Sequence, residues 1–190
     1  MPRGSVRQQI VDAAMDQFHL HGYNGCGVKD ITDAAKAPKG SFYNHFESKE
    51  ALALEVLRRY EADCSLDSLA DTSTEPIARL RAFFESLRAS LERFGYSRGC
   101  LFGNLGTEMA DHSGAMRTQI GQSLDRWTSS LAVPLREART SGLLAASHDP
   151  DQLSRFLVDA WQGAVVRSKV SRSRVPLDDF FTVVFGSILV

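Results

Sequence analysis

The sequence predicts an all-α protein of about nine helices, and three observations carry the prediction. Apolar residues recur at helical spacing along nearly the whole chain. Capping residues stand ahead of the apolar runs, among them Ser5, Ser48 and Asp149. No stretch alternates apolar and polar residues as a half-buried strand does, and there is no internal repeat or low-complexity tract. At 190 residues the chain is long enough for one well-buried domain, or for a small module joined to a medium one.

Ser5 with Gln8 makes a capping-box pair for the first helix; Ile10, Ala13, Ala14 and Phe18 form its apolar face and Gly22 ends it. A short helix follows from Val28 to Ala35. The turn Lys36-Ala37-Pro38 leads to another that starts at Lys39, and two short helices joined by about three residues form a helix-turn-helix. Ser48 caps a longer helix, with Glu50 in its first turn where the dipole favours an anion. Asp67 to Thr74, rich in Asp, Ser and Thr, reads as a loop. Five more helices are expected: about Pro76 to Phe94, Arg98 to Ala110, Ser113 to Thr140, one opened by Asp149-Pro150, and one from Pro176 almost to Val190. The expected division is a helix-turn-helix domain over 1–47, a connecting helix over 48–70, and a larger helical domain over 71–190.

Composition removes several classes. Twenty-two Lys and Arg against 23 Asp and Glu give a net charge of −1, so charge alone does not announce a nucleic-acid partner. No apolar run approaches the roughly 20 residues of a membrane span, and the start, MPRGSVRQQI, lacks the apolar stretch of a signal peptide. Cys26, Cys64 and Cys100 are odd in number and widely spaced, which argues against a disulfide framework and for a reducing cytoplasm. No metal-ligand spacing stands out, since His19 and His21 lie two apart on a helix and point to different faces. No cofactor motif or nucleophilic triad is legible, so an enzyme is not expected.

The stretch PKGSFYNHFESKE, Pro38 to Glu50, has chemistry suited to a duplex. Lys39, Gly40 and Ser41 sit at a helix N-terminus, where free N–H groups attract phosphate and Gly40 permits close approach. Tyr43, Asn44 and His45 are polar groups within reach of bases or phosphates, and Lys49 opens the next helix as a further cation. Phe42 and Phe46, four apart, anchor the segment inward. A plain helical hairpin with aromatic packing accounts for the same pattern.

Residues 5 to 52 resemble the N-terminal domain of the TetR family of transcriptional regulators. The shared features are the leading amphipathic helix, Gly22-Tyr23, Val28-x-x-Ile31, and Gly40-Ser41-Phe42-Tyr43-x-x-Phe46-x-Ser48-Lys49-Glu50. The resemblance implies about nine helices, a homodimer, and binding to a palindromic double-stranded operator. By position it assigns DNA contact to Lys39, Gly40, Ser41, Tyr43, Asn44, His45 and Lys49. Gly27 departs from the family, which commonly has a Ser or Thr cap there.

The last two helices are the expected dimer surface, on Leu157, Trp161, Phe181, Val184 and Ile188; the alternative is that their wide apolar arcs are buried within the monomer. Phe84, Phe102, Leu105, Met109 and Trp127 are candidates for lining an effector pocket, or else for a solid core.

The passage RGCLFGNLG, Arg98 to Gly106, lacks the preceding strand and the spacing of a phosphate loop. With Ser97 as N-cap, Cys100 falls in the first turn of a helix, where the dipole and Arg98 favour a thiolate; the alternative is a small buried cysteine filling a gap. Gly99-Cys100-Leu101, Leu105, Glu108, Met116 and Arg117, with Lys169-Val170-Ser171-Arg172-Ser173 and Pro176-Leu177, resemble the NemR-type, electrophile-responsive subgroup of the family. That resemblance implies a sensor at Cys100 with Lys169 beside it. The expected protein is a repressor released from its operator by modification at Cys100. The alternative is the same repressor switched by reversible binding of a small molecule in the helical pocket, with Cys100 only structural.

Overall fold

A computed structural model describes residues 5–189. Met1–Gly4 and Val190, at the ends of the first and last expected domains, lie outside the described residues. Among the described residues there are nine α-helices and no strand. They are α1 (Val6–His21), α2 (Val28–Ala34), α3 (Lys39–Phe42), α4 (Lys49–Ala62), α5 (Pro76–Arg93), α6 (Leu101–Met109), α7 (Gly114–Thr140), α8 (Pro150–Ser171) and α9 (Val175–Val183).

The caps explain where most of them begin. Ser5 Oγ accepts from the Gln8 N–H at 3.3 Å, while the Gln8 side chain turns to Asp12 instead of closing the box. Ser48 caps α4 through the Ala51 N–H at 3.0 Å, and Asp149 caps α8 through the Gln152 N–H at 2.7 Å. Glu75 caps α5 with both oxygens, on the N–H groups of Ile77 and Ala78. Gly27 supplies no side chain to α2, but Asp30 Oδ2 accepts its N–H at 2.8 Å, which preserves half of a capping box.

Three boundaries differ from the sequence reading. The expected helix from Arg98 begins only at Leu101, because Gly95, Tyr96 and Gly99 hold φ of 55°, 58° and 69°, outside the right-handed region. Ser97 caps nothing there; its hydroxyl donates to the Phe94 carbonyl at 2.6 Å. The expected loop 67–74 overlaps a 3-10 turn, Leu66–Ala70, with Leu69 buried, so the connecting helix α4 itself stops at Ala62. The final helix passes from α9 into a π turn, Val184–Ile188.

The chain forms two compact units, Met1–Asp63 with Leu101–Gly121, and Cys64–Cys100 with Gln122–Val190. In the first, Ile10 and Phe18 of α1, Ile31, Phe42, Leu52 and Leu57 are wholly buried. Phe102 and Leu105 of α6 are buried in the same unit, and the Phe102 ring meets Tyr60 edge-on at 5.1 Å. Each such side chain contributes roughly 1.5–3 kcal/mol of transfer free energy. α6 thereby packs into the first unit, although residues 64–100 of the chain lie between its two parts.

The core of the second unit is aromatic. Phe84 on α5 lies 5.2 Å from Trp161 on α8 and 4.9 Å from Phe180 on α9, centroid to centroid. Arg79 is buried in this unit; it donates to the Leu69 carbonyl at 2.9 Å and pairs with Glu137. No helix among the described residues is long and apolar enough to cross a membrane.

Candidate functional site

The helix-turn-helix presents one polar outer surface over a buried base. Lys39, Gly40, Tyr43, Asn44 and His45 are exposed, and Tyr43 is 62% exposed despite its ring. Phe42 and Phe46 are buried, with ring centroids 5.7 Å apart, so the segment is anchored on one side and free on the other. Gly40 has open space where a Cβ would stand. Ser41 is half-buried, and its hydroxyl donates to the Pro38 carbonyl at 2.6 Å. In the turn ahead of α3, Lys36 is exposed at φ 54°, a cation missing from the sequence assignment; only its place in the turn could have flagged it.

Lys49 is used differently from its neighbours. Its ammonium donates to the carbonyls of Tyr23 at 2.8 Å and Cys26 at 3.0 Å, and lies 4.1 Å from the Tyr23 ring centroid. Two of its three N–H groups therefore tie the α1–α2 turn to the start of α4. Burial pushes the Cys26 thiol above its ordinary pKa, with the Lys49 charge pulling the other way.

A second fastening reaches the same turn from α6. Glu108 accepts from the Tyr23 N–H at 2.8 Å and the Asn24 N–H at 2.6 Å, one oxygen each. Gly22 makes room for it: a Cβ there would stand 2.6 Å from Glu108 Oε2, at a φ of 74° that disfavours side chains. Ser113, the cap of α7, donates to the Glu50 carboxylate at the start of α4. Nothing in the sequence pattern announces that Glu108 grips a turn more than 80 residues away.

Cys100 precedes α6 directly, rather than lying in its first turn. It is 6% exposed. Gln162 on α8 donates its amide N–H to the sulfur at 3.3 Å. The Arg98 guanidinium sits over the Phe94 ring at 3.6 Å. Lys169 lies seven residues beyond Gln162, two turns along the same face of α8. Burial holds its ammonium below the ordinary lysine pKa, with the Arg172 charge acting in the same direction.

The five expected pocket residues are divided between the units. Phe102, Leu105 and Met109 are buried in the first; Phe84 and Trp127 are buried in the second, where Phe83 touches both rings.

The expected dimer residues do not face outward. Leu157, Trp161, Phe181 and Val184 are buried within their own chain and Ile188 is half-buried, because their arc packs against Phe84 and its neighbours. The large apolar residues left exposed on the same helices are Phe156 at 50%, Val166 at 53%, Val170 at 72%, Val175 at 58% and Val183 at 53%.

Residues 10–56 match the family model described as bacterial regulatory proteins, tetR family, and residues 76–184 match that described as tetracyclin repressor-like, C-terminal domain. The chain is 39% identical over 192 residues to the HTH-type transcriptional repressor DhaR of Mycobacterium sp. (strain GP1), covering 100% of this chain and 95% of the relative. The crystal structure of a TetR regulatory protein from Rhodobacter sphaeroides superimposes with a TM-score of 0.89 at 36% identity, over 96% of this chain and 98% of the other. The reduced form of Escherichia coli NemR superimposes with a TM-score of 0.84 at 27% identity, over 97% of each chain.

Proposed function

We propose that this chain, which belongs to the TetR family of bacterial regulatory proteins, is a repressor that binds a palindromic DNA operator as a homodimer and releases it when a small electrophile or oxidant modifies Cys100. The observation that carries the reading is a continuous line of attachment. Cys100 is the residue before α6, and the other end of α6 holds the α1–α2 turn, just ahead of the helix-turn-helix, through Glu108. The 39% identical relative DhaR is a repressor, and the solved NemR structure is of a reduced form; both support the reading.

Lys39, Gly40, Tyr43, Asn44 and His45 would meet the duplex. Phosphate contacts fix register, and polar groups on the reading helix reach base edges. Ser41 and Lys49 serve mainly to hold that helix, with one N–H of Lys49 left for a phosphate.

For alkylation, the thiolate sulfur forms a bond to the electrophilic carbon. The displaced electron pair moves onto the electrophile and is then protonated by water. For hypochlorite, the sulfur is oxidised to a sulfenyl species, and the Lys169 amine displaces chloride or hydroxide to give a sulfur–nitrogen bond. The depressed Lys169 pKa favours that step, since only the neutral amine attacks. Either product adds bulk at a buried position. Close-packed neighbours shift as bodies when bulk is inserted. α6 is the body next in the chain, and its movement pulls on the α1–α2 turn.

The 6% exposure of Cys100 favours one other reading, in which the thiol is structural and a reversible ligand does the switching. Cys100→Ser separates the two. The variant is expected to bind operator as the wild type does and to stay bound after treatment with maleimide or hypochlorite. Lys169→Ala is expected to blunt release by hypochlorite more than release by alkylation. Wild-type release by Cys100→Ser would leave the reversible-ligand repressor standing.

A further inference from the structure

The residue touching Cys100 is an amide used at only one end. Gln162 Nε2 donates to the sulfur at 3.3 Å, while its Oε1 is buried with no hydrogen-bond partner among the described residues. Trp161 and Val165, its neighbours on α8, are buried. A buried acceptor left unpaired is costly, so such an atom calls for an explanation. An N–H given to sulfur fixes where the sulfur sits against α8.

We infer that Gln162 is the positioning and specificity residue of the Cys100 sensor: its N–H holds the attacking sulfur, and its free carbonyl oxygen accepts a hydrogen bond from the effector, which is therefore a small electrophile carrying an N–H or O–H close to its reactive carbon. The inference rests on the proposed role of Cys100. The two amide heteroatoms share one carbon. A donor bound to Oε1 thus lies within a few bonds of the carbon that meets the sulfur. For a conjugated alkene, the sulfur forms a bond to one alkene carbon and the π pair moves to the neighbouring carbon and its carbonyl as an enolate. Water supplies the proton that completes the adduct.

Maleimide and N-methylmaleimide test this, since they react by the same addition and differ by one N–H. Rates of Cys100 labelling in the full-length protein are read by peptide mass spectrometry and normalised to the rates of free N-acetylcysteine with the same reagents. The wild type is expected to prefer maleimide several-fold. Gln162→Leu, whose fold is checked by its operator binding before treatment, is expected to show no preference. It should also react several-fold more slowly, because the sulfur loses the N–H that holds it. Gln162→Glu keeps an acceptor and loses the donor, so it should keep the preference while both rates fall. A wild-type preference in Gln162→Leu would overturn the inference, and wild-type rates in Gln162→Glu would overturn its donor half. Operator release is scored in parallel: wild-type protein fully labelled at Cys100 yet still bound to operator would remove the sensor role itself, whatever the labelling rates.

Discussion

Lys39 and Lys49 carry the same charge at the two ends of the reading segment, and the fold gives them different work. Lys39 is exposed, whereas Lys49 spends two N–H groups on the Tyr23 and Cys26 carbonyls. Lys39→Ala should weaken operator binding for all sequences alike and flatten the dependence of log affinity on log salt by about one unit. Its thermal midpoint should not change. Lys49→Met should lose about 2 kcal/mol of stability, on the order of 5 °C in midpoint for a chain of this length. A midpoint unchanged in Lys49→Met, with the slope flattened instead, would return Lys49 to a plain phosphate contact. The neighbouring thiol gives a pH test. The pKa of Cys26 is raised by burial, so the fold favours its protonated form. That contribution to stability is complete below the ordinary thiol range and fades as pH rises through the raised value. Cys26 should therefore be alkylated by iodoacetamide only slowly at neutral pH. Lys49→Met, which removes the opposing charge, should slow it further. Peptide mass spectrometry reads both, and faster labelling in Lys49→Met would contradict the account.

At the scale of elements, the decisive feature is what α6 holds. Glu108 offers one oxygen to each of two backbone N–H groups in the α1–α2 turn. Glu108→Gln would set an amide NH2 against one of them. Amide exchange at Tyr23 and Asn24 should then quicken and operator affinity should fall, with the rate of Cys100 alkylation unchanged. Gly22→Ala should act in the same way, since its Cβ would crowd Glu108 Oε2. Slow exchange at both amides in both variants would mean that the turn is held by Lys49 alone. Much of the architecture was legible in the sequence because caps and apolar spacing are local signals: Ser5, Ser48 and Asp149 each begin a helix, and Phe42 and Phe46 point inward as a four-residue spacing requires. The start of α6 was not legible, because Ser97 is a good cap by composition while the left-handed backbone at Gly95, Tyr96 and Gly99 forbids a helix there. The Glu108 grip was hidden for another reason: it joins residues that only the tertiary fold brings together. In α8, periodicity reveals that one arc is apolar, but Phe156 and Leu157 are adjacent in the chain, and spacing cannot tell the arc that covers Phe84 from the one left exposed.

At the scale of the molecule, the proposed homodimer needs a surface, and the last two helices leave an apolar side exposed. Phe156, Val166 and Val170 fall on one side of α8, and Val183 lies exposed on α9. We place the partner chain there, against the outward side, and not on the inward arc of Leu157 and Phe181. A charge on each side separates the two. Leu157→Glu buries an unpaired carboxylate in the monomer core and should unfold the chain. Phe156→Glu and Val170→Glu put the charge on a surface that is wet in the free chain, so each should keep its helical circular dichroism while light scattering reports a monomer. The consequence for DNA follows from linkage. In a dimer the second half-site is bound intramolecularly, at an effective concentration that raises avidity by roughly 10²–10⁴. A monomeric variant loses that factor. It also loses sensitivity to half-site spacing, which in a two-fold dimer is set by one helical turn of about 34 Å. Operators with the half-sites moved apart by five base pairs should therefore bind the wild type far more weakly and Val170→Glu no differently. Dimer mass and wild-type operator affinity in both Phe156→Glu and Val170→Glu would move the partner to another face.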